Sequence, residues 1–294
     1  MNIQKSFSGQ AQQTVYVVPT PIGNLEDITF RALKTLTEVS VIAAEDTRNT
    51  KKLLNHFEIT TPLVSYHEHN KEKRGEELLA RLEKGESIAL VSDAGMPAIS
   101  DPGYELVQEA IAADVAIVVM PGANAALCAL VGSGLPADEF LFYGFLPRKK
   151  KEKEAELGRL KSMRATLLLY ESPYRIKDTL QMLHVHLGNR QIAVARELTK
   201  KFEEYARGTV EEIMVWAETA ELKGEFCLVI AGTSSESVQE NDLWWSSFSI
   251  VEHVTYYINE ADLSSKEAIK RVAADRHMPK RDVYQAFHID QQER

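Results

Sequence analysis

Residues 88–107 read Ile-Ala-Leu-Val-Ser-Asp-Ala-Gly-Met-Pro-Ala-Ile-Ser-Asp-Pro-Gly-Tyr-Glu-Leu-Val. The apolar run Ile88 to Val91 has the length of a buried strand. A loop of small residues with two prolines and two glycines follows, Ser92 to Gly103, and a helical pattern begins at Tyr104. A parallel strand that ends in such a loop and turns into a helix is where α/β proteins place ligands. Small residues let backbone amides approach a ligand closely, and the prolines stiffen the loop. Asp93 stands just past the strand, where its carboxylate could accept hydrogen bonds from a ligand hydroxyl or amine. The same stretch also reads as a tight turn in which Asp93 and Asp101 cap helices.

The unit recurs along the first half of the chain. Val15–Val18 leads into Pro19-Thr20-Pro21-Ile22-Gly23-Asn24, and Val39–Ala44 into Glu45-Asp46-Thr47-Arg48. Pro62–Tyr66 leads into His67-Glu68-His69-Asn70, and Val115–Met120 into Pro121-Gly122-Ala123-Asn124-Ala125. Helical patterns over 27–36, 49–56, 73–84 and 125–131 separate the strands, with Gly85 as a stop. The first loop lacks both a GxGxxG turn and a phosphate-binding lysine, and its two prolines remove donors, so it suits an uncharged or cationic ligand better than a pyrophosphate. Charged residues at the end of the second strand make Glu45, Asp46 and Arg48 site candidates, although Asp46 or Thr47 also reads as a helix N-cap. His67 and His69 suggest a metal pair, but no third and fourth ligands are spaced to support one, so no metal is expected. Gly132 to Ala137 superficially matches GxGxxA, yet it follows a helix and contains Pro136, and it reads as the linker out of the first domain.

A second unit begins with a strand at Phe140–Phe145 and continues with strands at 165–170, 191–195 and 226–232, with helices from 175 and 210. Between Pro147 and Arg164 lie eight Lys or Arg and three Glu, a local +5 in a chain of net charge −9. That run is either a solvated helix face or a phosphate contact whose affinity would fall with salt. The overall acidity argues against a generic nucleic-acid coat and leaves room for a local basic face. Ser234 to Asn241 reads as a polar linker, and 244–288 as a helical tail with a Ser264-x-x-Glu267 capping box and a pair of helices resembling a helix-turn-helix. The expected organisation is a polar tail at 1–13, α/β domains at 14–134 and 135–235, and a small helical domain at 236–294. Cys128 and Cys227, each in an apolar setting, suggest reduced buried thiols in a cytoplasmic protein. No apolar run reaches membrane-span length, no membrane association is expected, and the N-terminal segment lacks the apolar stretch of a signal peptide.

Several of these segments, in this order, resemble the tetrapyrrole methylase superfamily, the class III S-adenosylmethionine-dependent methyltransferases. More narrowly they resemble the ribosomal RNA small-subunit methyltransferase I family. The segments are VPTPIGNLEDIT (18–29), AEDTR (44–48), SYHEHN (65–70), VSDAGMPAISDPG (91–103), PGANA (121–125), GFLPRK (144–149) and YESPYR (170–175). Met96 is the one departure from the family pattern, and it bears on packing more than on chemistry. The resemblance implies two α/β domains with S-adenosylmethionine in the cleft between them, a homodimer, and 2′-O-methylation of a cytidine in the decoding region of 16S rRNA.

By the same resemblance, Pro21, Ile22, Asp93, Gly95, Met96, Ala123, Asn124 and Tyr170 would contact the cofactor. Arg48, Lys149, Arg175 and Arg196 would hold RNA phosphates, with His67 and Glu171 also on the RNA side. Methyl transfer needs an aligned hydroxyl and a base that takes its proton. Glu45 and Asp46 rank first for that role because they directly follow the second strand, ahead of His67, Glu171 and Glu197. Two other readings stay open: a class III methyltransferase of a small molecule such as a tetrapyrrole, and a non-enzymatic RNA-binding assembly factor.

Overall fold

The computed structural model describes residues 3–4, 13–233, 245, 248–261, 263–276 and 278–289. The chain divides into two compact units, Met1–Gly232 and Thr233–Arg294. The expected linker 234–241 lies outside the described residues.

The first sheet contains β1 (Thr14–Val17), β2 (Val41–Ala44), β3 (Leu63–Ser65), β4 (Ile88–Val91) and β5 (Ala116–Val119) in the order β3-β2-β4-β1-β5. Every pairing is parallel. The central strands β2 and β4 are buried at all positions, as a sheet covered on both faces requires. Alternation divides their side chains between two cores. Val41, Ala43, Ile88 and Leu90 pack with Tyr66, Leu78, Leu82 and Leu106 on one face. Ile42, Ala44, Ala89 and Val91 pack with Leu36, Leu54 and Met120 on the other. The helices between the strands are α1 (Phe30–Glu38), α2 (Thr47–His56), α3 (Lys71–Glu83) and α4 (Tyr104–Ala112), followed by α5 (Ala125–Ser133).

The second sheet contains β6 (Phe140–Phe145), β7 (Thr166–Glu171), β8 (Gln191–Arg196), β9 (Glu204–Thr209) and β10 (Phe226–Ile230), in the order β6-β7-β10-β8-β9. It is mixed: β6 and β7 are parallel, whereas β10 runs antiparallel to β7 and β8, and β9 antiparallel to β8. The sequence reading contains no strand at β9. Glu204-Tyr-Ala-Arg-Gly-Thr is a polar edge strand with no fully buried residue, so it lacks the apolar run that marks the central strands. One face of this sheet is covered by α6 (Lys150–Leu160), α7 (Ile176–Leu187) and α8 (Val210–Thr219), through Leu157, Leu160, Leu180, Leu183 and Ile213. The other face is covered by α5. Ala126, Ala129 and Leu130 pack against Leu168, Ala193, Ala195 and Val229, which ties the last helix of the first sheet to the second sheet.

The second unit has its own core. Helices α9 (Ile250–Glu260), α10 (Ser265–Asp275) and α11 (Lys280–Ile289) bury Val254, Ile269, Val272, Val283 and Phe287 together. The capping box at Ser264 and Glu267 is present, and Ser249 and Glu252 form a second one. Cys227 is buried as expected, but Cys128 is exposed. It sits on the outer side of α5, where the apolar neighbours that suggested burial face both ways. Among the described residues, no helix is long and apolar enough to cross a membrane, and no group of side chains is arranged to hold a metal ion.

Candidate active site

The loops leaving β1, β2, β4 and β5 lie at the C-terminal edge of a parallel sheet, the side on which α/β proteins bind ligands. The ends of β6, β7 and β8 and the start of the antiparallel β10 meet them. The β1 and β4 loops are bolted together. Thr20 N donates to Gly95 O (3.0 Å), Gly95 N donates to Thr20 O (2.9 Å), and the buried Thr20 hydroxyl donates to Ser92 O (3.1 Å). Ala98 and Ser100 hold positive φ of 65° and 63°. Gly103 closes the loop at φ 147°, where a Cβ would stand 2.8 Å from Leu90 Cδ2. Left-handed backbone at non-glycine residues is strain that surrounding structure must hold, and it concentrates at functional loops.

These loops enclose a cavity of about 390 Å³, within the range of about 300–1,000 Å³ typical of small-molecule sites. Its apolar walls include Ile22, Met96, Phe145, Tyr170, Leu198 and Phe226. Tyr170 is wedged between Phe142 and Phe145, at ring-centroid distances of 5.0 and 5.7 Å. Burial pushes its phenol pKa up to about 12, so it stays protonated. The polar lining is one-sided: six carboxylates (Glu45, Asp93, Asp101, Glu171, Glu197, Glu225) against one ammonium, Lys200. Lys200 is itself paired with Glu197 at 2.9 Å. Carboxylates crowded in a half-buried site raise one another's pKa. Asp101 is pushed up to about 7, first by burial and then by the charges of Glu45 and Asp93, against a hydrogen bond from Ser92. Glu45 is raised by burial and by Asp93.

The cavity gathers Ile22, Asp93, Gly95, Met96, Asn124 and Tyr170 from the expected cofactor residues, together with Glu45. Pro21 and Ala123 do not line it. The carbonyl of Ala123 lies 3.5 Å from the place a Gly95 Cβ would take. Asp93 also orients the start of α2, accepting from Asp46 N (3.1 Å) and from the Asn49 amide (3.0 Å). Asn124 is the N-cap of α5, accepting from Leu127 N at 3.0 Å, which leaves its side-chain NH₂ for a ligand.

Other expected residues are committed elsewhere. Asp46 is outside the lining, caps α2 by accepting from Arg48 N (2.8 Å), and is clamped by the Arg48 guanidinium (2.6 Å). That clamp holds its pKa at about 2, which makes it a poor base. Arg48 is thereby an exposed partner of Asp46. Glu171 is buried and accepts from the Thr179 hydroxyl (2.7 Å) and Ser172 N (2.8 Å). Arg175 turns inward to Glu171 and donates to Leu146 O (2.8 Å) and Pro147 O (3.2 Å). Both act as braces at the start of α7, although Glu171 also lines the cavity. Arg196 is mostly buried against Glu204 and Glu221 O. Lys149 is exposed and paired with Glu152 at 2.9 Å, and His67 stands close to Glu45 without lining the cavity. Asp101 escaped the sequence reading because it resembles a helix cap. Gly103 takes the cap position of α4 and leaves the Asp101 carboxylate facing the cavity.

A model of the tetrapyrrole (corrin/porphyrin) methylases matches residues 14–214. The chain is 56% identical over 289 residues to a protein named ribosomal RNA small subunit methyltransferase I from Halalkalibacterium halodurans, covering 98% of this chain and 99% of the relative. It is 54% identical, with the same coverage, to the protein of that name from Bacillus subtilis. The chain belongs to the ribosomal RNA small subunit methyltransferase I family, within the tetrapyrrole methylases. The same fold occurs in a cobalt-precorrin-4 methyltransferase of cobalamin biosynthesis, with TM-score 0.58 at 17% identity, covering 77% of this chain and 98% of that one. It occurs also in a diphthine synthase, with TM-score 0.57 at 14% identity, covering 74% and 89%.

Proposed function

We propose that this protein transfers a methyl group from S-adenosylmethionine to the ribose 2′-oxygen of a cytidine in the decoding region of 16S rRNA. The observation that carries the reading is the cavity at the strand ends, apolar in its walls and carboxylate-rich in its polar lining. Such a lining attracts a ligand with two positive centres, an ammonium and a sulfonium, and repels phosphates. When bound, S-adenosylmethionine supplies an electrophilic methyl carbon on sulfur. Asp93 and Asn124 are the polar groups of the first sheet suited to the amino-acid end, while Tyr170, Ile22 and Leu198 supply flat apolar walls. Ala123 supports the Gly95 turn through its carbonyl.

For the base we favour Asp101 over Asp46. Asp101 lines the cavity and stands near neutrality, whereas Asp46 is tied to Arg48. The Asp101 carboxylate would take the 2′-hydroxyl proton as that oxygen accepts the methyl group from the bound sulfonium. Glu45 supports the step by keeping Asp101 a strong enough acceptor. Lys149, with Arg148 and Lys151 beside it on the exposed start of α6, offers phosphate contacts that Arg175 and Arg196 do not.

The protein works in the cytoplasm, where small ribosomal subunits are, as a homodimer. The exposed apolar side chains Val119, Leu127 and Val131 on β5 and α5 support the pairing, and light scattering at micromolar concentration tests it. The activity is tested with methyl-labelled S-adenosylmethionine and small subunits from cells lacking this enzyme, followed by nucleoside analysis. Label in 2′-O-methylcytidine is expected. Cofactor binding without RNA labelling would overturn the reading in favour of a small-molecule substrate.

A further inference from the structure

Outside the lining, the cavity changes character. Among the described residues of the unit Met1–Gly232, six aromatic side chains are counted as exposed: Phe30, Tyr104, Phe140, Phe145, Tyr174 and Phe202. Four of them are lining residues or lie within a few positions of one along the chain. Phe145 lines the cavity, Tyr174 follows the lining residue Pro173, Phe202 is two residues past Lys200, and Tyr104 is three past Asp101. They come from four different segments, at or after the ends of β4, β6, β7 and β8. Their exposure is large, 96% for Tyr174, 68% for Phe202, 63% for Tyr104 and 54% for Phe145. Burial in this unit therefore does not explain aromatic residues there.

Cations accompany these rings. Lys201 Nζ stands 5.6 Å from the centroid of Phe202, and Lys200 lies between that ring and the cavity in sequence. Arg148 and Lys149 are exposed just after Phe145. The β8–β9 turn that carries Lys200 and Phe202 is held against the first sheet. A Cβ on Gly23 would fall 2.9 Å from Thr199 Oγ1 and closer still to Lys200 Cγ, so the turn packs directly on the β1 loop. The lining is rich in carboxylates, whereas the segments that border it in the chain, its rim, carry exposed aromatic rings and ammonium groups.

We propose that this rim is a stacking platform for unpaired RNA, with Tyr104, Phe145, Tyr174 and Phe202 receiving the bases that flank the target. The inference rests on the methyl-transfer reading and deepens it by naming the form of RNA the site takes. A duplex buries its base faces and presents only phosphates and groove edges, which rings cannot stack on. An unpaired strand exposes a π-face at every base, and aromatic rings interleaved with Lys and Arg are how single strands are held without sequence readout. The acidic interior excludes phosphates, so the backbone stays on the cationic rim. One uncharged ribose and base leave the stack to enter, as in other enzymes that act on single nucleotides.

The test uses fluorescence anisotropy with a short fluorescein-labelled unpaired RNA and with the same strand annealed to its complement. The full chain is compared with Tyr174→Ala, Phe202→Ala, the double variant and Tyr174→Trp. Cofactor affinity is measured by calorimetry, and methylation kinetics on small-subunit particles. The unpaired strand should bind at least about tenfold tighter than the duplex, and each alanine should weaken it by about tenfold. KM for particles should rise while cofactor affinity stays at the parent value, and Tyr174→Trp should restore binding. Equal affinity for the two RNA forms, or alanine variants with unchanged RNA affinity and KM, would overturn the platform. A parent enzyme that binds cofactor and labels no small-subunit RNA would instead sink the methyl-transfer reading, whatever the rim binds.

Discussion

Replacing Asp101 by asparagine should remove activity and add stability. The side chain keeps its volume and loses its charge. In the parent protein the carboxyl sits at a pKa of about 7, against an ordinary value of 3.8. With that pKa, about a tenth of the molecules carry an ionised Asp101 at pH 6 and about nine tenths at pH 8, so kcat/KM should rise about tenfold across that interval and then level off. A cationic cofactor in the cavity favours the charged form, so the kcat profile should turn at lower pH than the kcat/KM profile. Asp101→Asn should lower kcat by about 10²–10⁴ and flatten both limbs.

Stability runs the other way. The folded state binds the Asp101 proton more tightly than the unfolded chain does. Stability therefore falls as pH rises from about 4 to about 7, and the loss is complete above that. A shift of this size corresponds to at most about 4 kcal/mol. Access of the side chain to solvent in the open cavity reduces this to about 1–2 kcal/mol. Asparagine escapes that cost, so urea unfolding at pH 8 should show the variant more stable by about that amount. At pH 3 the two proteins should coincide. A variant with a parental pH–rate profile would refute the role of Asp101 as base. A variant less stable than the parent at pH 8 would refute the electrostatic picture of the cavity.

Asp46→Ala removes the cap of α2 and should lower the urea midpoint while kcat on small-subunit particles stays within about threefold of the parent, because Asp46 stands outside the cavity. Glu171→Ala leaves the Arg175 guanidinium and the Thr179 hydroxyl without their buried acceptor, and a loss of about 3–5 kcal/mol is expected from denaturant titration. Gly103→Ala forces a Cβ against Leu90 at a φ of 147°, so a loss of about 1–3 kcal/mol should accompany weaker cofactor binding, read by unfolding and calorimetry together. Asp93→Asn keeps the acceptor for Asp46 N but withdraws charge from the lining, and should weaken cofactor binding by about tenfold in calorimetry.

Much of the molecule was legible from local pattern. Ile88–Val91 and Phe140–Phe145 are strands with the boundaries their apolar runs indicate, and Tyr104 and Ala125 open helices where expected. Strand burial, small-residue loops and helix starts depend on neighbours along the chain, so a sequence carries them directly. The loop residues Ile22, Asp93, Gly95, Met96 and Asn124, which the family resemblance named, line the cavity in loops that leave recognisable strands. Edge strand β9 was not legible, because a polar strand shows its character only through its partner β8.

Charge roles were the part that only tertiary structure decided. Glu45 and Asp46 are adjacent in sequence and looked equivalent as bases, yet one faces the cavity and the other faces Arg48. Glu171, Arg175 and Arg196 follow strands just as the site residues do, but their charges are spent on one another, on backbone carbonyls and on Glu204. Asp101 became a candidate base only when folding set it beside Glu45 and Asp93 from other loops of the sheet. A pKa depends on burial and on charges through space, and neither is written in the spacing of residues along a chain.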